Sequence, residues 1–173
     1  MSAGLPDTPE LVQRLAQALR QRGQMLVCAE SCTGGMIAAA CTELAGSSDW
    51  FERGFVTYSN AAKTEQLGLP EALIDRHGAV SEQVVRAMAL GAVSHSRAQV
   101  SVAVTGVAGP AGGSAAKPVG TVWFGWCVNG LDSAEMVRFE GERAQVRSQS
   151  LRHALTGLLT RLGETMEDAC SPT

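Results

Sequence analysis

Two short runs in this chain, residues 25–28 and 100–104, are apolar or β-branched almost without interruption, and each breaks off into a polar, glycine-bearing turn. A strand that alternates apolar with polar residues can leave one face in water. A strand apolar throughout has to be covered on both faces, which calls for helices above and below a sheet with parallel strands. The first turn, Ala29-Glu30-Ser31-Cys32-Thr33-Gly34-Gly35, leads into a small-residue helical run over 34–44. The start of such a helix leaves backbone N–H groups without intrahelical acceptors, available to an anion or a developing oxyanion. Ser31 stands where a strand-to-helix turn presents its hydroxyl in the manner of a nucleophile elbow, although the G-x-S-x-G spacing is absent. Ser31 or Thr33 would equally serve as a plain helix cap, and the turn alone does not separate the two readings.

The other segments alternate in kind. Thr8-Pro9-Glu10 reads as an N-cap, a first-turn proline and a first-turn acid, and Leu11, Leu15, Ala18 and Leu19 fall on one face of a helix that stops near Gly23. Trp50-Phe51, after the turn Gly46-Ser47-Ser48-Asp49, reads as an exposed aromatic pair, a lid on the core or a subunit contact. Residues 54–59 read as a strand, Asn60 as the cap of a helix over 61–67, and 71–76 as a brief helical turn. Ser81 caps a helix with a broad apolar face (Val84, Val85, Met88, Ala89, Ala92, Val93), and His95 complements the dipole at its end. Residues 121–128 form an apolar strand, 134–139 pair with it across Asn129-Gly130, and a long helix over 142–162 follows. Residues after about 164 read as a frayed tail. This order predicts a single α/β domain across 1–173, a three-layer α/β/α sandwich with a mixed, mostly parallel sheet and its core within about 9–162. Ligands of such sheets bind beyond the carboxyl ends of the strands, so the turns after Cys28, Tyr58 and Val104 converge on one crevice.

Charge and residue usage narrow the chemistry. A net charge of −3 without a Lys/Arg block argues against nucleic acid as a partner. No apolar run approaches the roughly 18 residues that span a bilayer, and the start has no signal-peptide pattern, so a cytoplasmic protein is expected. Five cysteines, an odd number mostly in core-like segments, suit reduced thiols; Cys28-x-x-x-Cys32 lacks a second pair and the histidines are scattered, so no metal is expected. Twelve of the fourteen basic residues are Arg, the lysines being Lys63 and Lys117 alone. Lys can lose its proton at an active site and Arg essentially cannot. Tyr58, the sole tyrosine, precedes Lys63 by five residues.

The second glycine-bearing turn, Thr105-Gly106-Val107-Ala108-Gly109-Pro110-Ala111-Gly112-Gly113, would let backbone N–H groups approach a phosphate, or is simply a flexible connection. Arg143 and Arg147, one turn apart near the start of the last helix, lie on a solvated face or aim at such a phosphate.

Taken together, Ala29-Glu30-Ser31-Cys32-Thr33-Gly34-Gly35, Gly46-Ser47-Ser48, Phe55-Val56-Thr57-Tyr58-Ser59-Asn60-x-x-Lys63, Gly78-Ala79-Val80-Ser81, Thr105-Gly106-Val107-Ala108-Gly109-Pro110 and Lys117-Pro118-Val119-Gly120-Thr121-Val122 closely resemble the carboxy-terminal domain family of the competence/damage-inducible protein CinA over roughly residues 9–162. The family's stand-alone bacterial form is a nicotinamide-nucleotide amidase. The resemblance implies hydrolysis of nicotinamide mononucleotide to nicotinic acid mononucleotide and ammonia in pyridine-nucleotide salvage, without a cofactor. Larger CinA proteins carry a further domain to which nothing here corresponds.

Amide hydrolysis needs a nucleophile, a base, an acid for the leaving ammonia and donors for the oxyanion. No histidine lies near the candidate turns, which leaves Lys63 as the base, Ser31 as the nucleophile with Cys32 as its rival, and Tyr58 to relay the proton or orient the base. The N–H groups around Thr33, Gly34 and Gly35 would hold the oxyanion. The phosphate would lie against Thr105, Gly106, Ala108 and Gly109 with Arg143 or Lys117 as counter-charge. A homodimer is expected. Two alternatives remain at this point: a nucleotide-binding module without chemistry, and a protein-interaction unit linked to competence or DNA damage.

Overall fold

The computed structural model describes residues 6–164; the expected frayed tail lies outside them. Helix α1 (Thr8–Arg22) is capped one residue ahead of the expected Thr8, by Asp7, whose side chain accepts the Glu10 amide at 3.0 Å, and it is closed by Gly23. Next come β1 (Leu26–Glu30), α2 (Met36–Glu43), β2 (Phe51–Val56), α3 (Asn60–Leu67), α4 (Glu71–His77) and α5 (Glu82–Ser94). The chain closes with β3 (Val100–Gly106), β4 (Thr121–Val128), β5 (Leu131–Arg138) and α6 (Arg143–Arg161).

The five strands form one mixed sheet in the order β2-β1-β3-β4-β5. β1 pairs in parallel with β2 and β3, while β3–β4 and β4–β5 are antiparallel. Parallel pairing therefore covers half of the sheet rather than most of it. The two-residue turn at Asn129-Gly130, both at positive φ, fixes the hairpin register and extends β5 back to Leu131, three residues earlier than its polar start suggested.

Side-chain alternation along β1 builds the two covering layers. Leu26 and Cys28 face a core shared with α1, α2 and α6; Val27 and Ala29 face one shared with α3, α4 and α5. In the first core Trp126 is fully buried, stacked on Phe124 at 5.8 Å, with its Nε1 donating to the Ala154 carbonyl at 3.1 Å. Gly157 lets α6 lie against that indole; a Cβ there would sit 2.2 Å from the ring. Trp50 is also wholly buried, edge-on to Phe51 at 6.2 Å, because the 3-10 turn Ser47–Asp49 folds it inward. It belongs to the core, so the aromatic pair gives no ground for a subunit contact.

Two boundaries move for local reasons. Gly34 and Gly35 take left-handed conformations (φ 57° and 101°), so the helical run expected from residue 34 begins at Met36. Ser59 rather than Asn60 caps α3, accepting the Ala62 amide at 3.0 Å, and this holds residues 57–59 out of the strand.

Candidate active site

Ser31 follows the last residue of β1, and its amide donates to the Val104 carbonyl of β3 at 3.0 Å, which pins it at the carboxyl end of the sheet. Lys63 comes from the middle of α3, in the opposite layer to α6. Its Nζ lies 3.2 Å from Ser31 Oγ, donates to the Thr57 carbonyl at 2.8 Å and reaches the Tyr58 carbonyl at 3.5 Å. Lys63 is 1% exposed and Ser31 9%. All three acceptors are uncharged, so burial lowers the Lys63 pKa below its ordinary 10.5. A Cys32 thiolate would oppose that shift, but burial pushes the Cys32 thiol itself up to about 11 and leaves it neutral at pH 7.

The turn after Ser31 is held from both sides. Glu30, wholly buried, turns its carboxyl group into the start of α2, where it accepts the amides of Gly35 (3.1 Å), Ile37 (3.1 Å) and Ala38 (2.9 Å). The helix N-terminus that the sequence offers to a ligand is thus filled by the chain's own acid. Gly34 N–H is also engaged, donating to the Ser31 carbonyl at 3.0 Å. Among the described hydrogen bonds, no acceptor takes the amides of Cys32 and Thr33, and Thr33 is fully buried with its hydroxyl unpartnered. From the other side Arg147 donates through Nε to the Cys32 carbonyl (3.0 Å) and through Nη2 to the Thr33 carbonyl (3.1 Å). Neither Glu30 nor Arg147 stood out in the sequence by role: an acid in a polar turn reads as solvated, and Arg147 differs from Arg143 only in its tertiary surroundings.

Tyr58, 60% exposed, meets Lys63 through its backbone carbonyl rather than its hydroxyl. The hydroxyl instead accepts from Arg143 Nη2 at 3.1 Å, and Arg143 Nη1 donates to the Gly109 carbonyl at 2.9 Å. Arg143 therefore spans from the turn after β2 to the loop after β3 at the mouth of the site. Thr105 and Gly106 are the last residues of β3 rather than part of that loop: Thr105 is buried with its hydroxyl donated to Ala79 O (2.9 Å), and Gly106 is pressed against Thr121 and Val122. Ala108, in the loop, is buried, and Gly109 is the member in contact with the mouth. Lys117 Nζ donates to the His77 carbonyl at 3.1 Å. His95 caps α5, its Nδ1 2.8 Å from the Gly91 carbonyl. Among the described residues, no three His, Cys, Asp or Glu side chains gather as a metal site would require, and no helix is long and apolar enough to cross a membrane.

Known proteins are similar to this chain over most of its length. The nicotinamide-nucleotide amidohydrolase PncC of Enterobacter agglomerans is 52% identical over 162 residues, covering 92% of this chain and 96% of that protein. The protein of the same name from Pseudomonas putida is 54% identical over 149 residues, covering 86% and 93%. The crystal structure of the competence/damage inducible protein CihA from Agrobacterium tumefaciens superposes with a TM-score of 0.87 at 45% identity, covering 94% of this chain and 99% of that one. The model of the CinA C-terminal domain matches residues 8–162, and the chain belongs to that family.

Proposed function

We propose that this chain hydrolyses the carboxamide of nicotinamide mononucleotide, giving nicotinic acid mononucleotide and ammonia, with Ser31 as nucleophile and Lys63 as base. One observation carries the mechanism: a buried lysine amine, whose described hydrogen-bond partners are all uncharged, stands 3.2 Å from a serine hydroxyl at the end of a central strand. The substrate class is supported by relatives of about 50% identity that bear the name nicotinamide-nucleotide amidohydrolase.

Neutral Lys63 takes the proton of Ser31 as Oγ attacks the carboxamide carbon. The developing oxyanion meets the amide of Cys32, the residue after the nucleophile, which has no acceptor among the described hydrogen bonds. Collapse of the tetrahedral species breaks the C–N bond, and the Lys63 ammonium returns the proton to the leaving ammonia. Water, deprotonated by Lys63, then adds to the acyl ester, and the Ser31 oxygen leaves with that proton. Cys32 is a poor rival because its thiol is buried and protonated at neutral pH. Arg143, with Tyr58 and Gly109 at the mouth, offers the counter-charge for the 5′-phosphate. Tyr58 orients the base through its carbonyl and walls the entrance with its ring. The reaction is assigned to the cytoplasm, and the active particle to a homodimer.

The test is ammonia release by EDTA-treated protein from nicotinamide mononucleotide and from free nicotinamide. Turnover of the nucleotide, with free nicotinamide far slower because phosphate binding helps position the carboxamide, is the expected result. Equal rates would remove the phosphate assignment, and no ammonia from either would leave a nucleotide-binding module without chemistry.

A further inference from the structure

The proposed chemistry depends on where Ser31 Oγ points, and the turn that carries it is gripped by a residue 115 positions away in sequence. Arg147 reaches from the first turns of α6 with a planar fork whose two donors meet two successive carbonyls, Cys32 O and Thr33 O. A guanidinium is rigid, so two simultaneous bonds fix both the distance and the rotation of the turn relative to α6. The first gripped carbonyl belongs to the residue next to Ser31. On the other side, the Glu30 carboxyl holds the amides of Gly35, Ile37 and Ala38. Opposed holds on carbonyls and amides leave the peptide planes of the turn little freedom. Gly34 closes the fit: a Cβ there would lie 3.4 Å from Arg147 Nη2, at a backbone φ of 57° that side chains rarely adopt.

Arg143, one helical turn earlier, behaves differently. It is exposed and donates to Tyr58 and Gly109 at the mouth. Arg147 is half-buried with two nitrogens committed to backbone oxygens.

We propose that Arg147 is a positioning residue for Ser31: by forking the Cys32 and Thr33 carbonyls it holds the nucleophile turn so that Oγ stays within reach of Lys63 Nζ. Arg147 takes no part in binding the phosphate. The inference rests on the Ser31–Lys63 reading of the site and deepens it.

Two variants test it, Arg147→Lys, which keeps charge and stem but cannot fork, and Arg147→Met, which removes every donor; either one, once folded, is sufficient. The assays are steady-state hydrolysis of nicotinamide mononucleotide and of nicotinamide riboside, which lacks the phosphate, and labelling of Ser31 by a fluorophosphonate probe, which needs only an activated serine. The expected result is a kcat about tenfold to a hundredfold lower on both substrates by a similar factor, the scale of a nucleophile misplaced by about an ångström. Labelling should slow in parallel, and KM should stay within about threefold. The pH at which activity rises should not move, because Arg147 does not contribute to the lowered Lys63 pKa. A raised KM confined to the phosphorylated substrate would overturn the proposal in favour of a phosphate ligand. An unchanged kcat would overturn it too, as would a pH limb shifted upward, which signals a loosened, hydrated site around Lys63. If the parent labels at Ser31 yet releases no ammonia from the mononucleotide, the substrate reading fails by itself, and the labelling ratio still decides the role of Arg147.

Discussion

Replacing Lys63 by Met removes the amine from an almost solvent-free position while keeping most of the side-chain volume, and its effect on stability has a constant part and a pH-dependent part. The constant part mixes relief from burying an amine with the loss of bonds to Thr57 O, Ser31 Oγ and Tyr58 O. An orphaned buried carbonyl alone costs about 1–3 kcal/mol, so that part has no firm sign. The pH-dependent part does. Lys63 titrates near 10.5 in the unfolded chain and lower in the fold, because burial disfavours the ammonium. Between those two values the unfolded chain holds more protons than the folded one, so the parent gains stability as pH rises, by at most about 1.4 kcal/mol per pH unit. Below the folded pKa the penalty is fully present; above 10.5 it has gone. Urea melts of parent and Lys63→Met from about pH 6 to pH 10.5, subtracted at each pH, cancel the groups common to both. The difference should favour the parent increasingly toward alkaline pH, and its onset should coincide with the midpoint of the rise in kcat/KM. A difference that is flat, or that falls with pH, would refute the assignment of Lys63 as a lysine held towards neutrality by burial.

Ser31→Ala should retain binding of the mononucleotide, measured calorimetrically, while kcat falls at least about 10³-fold; Cys32→Ala should keep most activity and iodoacetamide should inhibit little. Gly157→Ala drives a methyl into the Trp126 ring and should cost about 1–3 kcal/mol in a denaturant melt, an unchanged midpoint showing that α6 can shift without penalty. Light scattering at low micromolar concentration should find a pair, and only the 18.1 kDa species would reject the dimer.

Much of this fold and part of its site were legible in the sequence because single physical signals carried them. Continuous apolar runs marked the central strands, Asn129-Gly130 marked the hairpin, and the scarcity of lysine drew attention to Lys63, which lies against Ser31. What stayed hidden depends on contacts between distant segments. Glu30 reads as one more polar turn residue until α2 is seen to close over its carboxyl oxygens. Trp50 looks exposed beside Ser47, Ser48 and Asp49, and only the 3-10 turn carries it inward. Thr105 and Gly106 look like part of a phosphate cradle by composition, yet they end β3, packed against Ala79 and against Thr121 and Val122, and Ala108 beyond them is buried. Arg143 and Arg147 have the same chemistry and opposite destinations.

The placement of Glu30 bears on how the enzyme lets go. Hydrolysis turns a neutral carboxamide into a carboxylate, so with Ser31 as the proposed nucleophile the product would carry a new anion beside the start of α2. Were the opening amides of α2 vacant, that product would be held by the same N–H groups and dipole that attract phosphates and carboxylates elsewhere. Glu30 already occupies the amides of Gly35, Ile37 and Ala38, so on that reading a departing nicotinic acid mononucleotide would meet only the amides of the turn itself, those of Cys32 and Thr33. The acid should accordingly inhibit no more tightly than the KM of the amide, and markedly tighter product inhibition would reveal an anion seat that the turn keeps in reserve. On the proposed mechanism, a carboxyl group built into the nucleophile turn would act in this way as a guard against the reaction's own product.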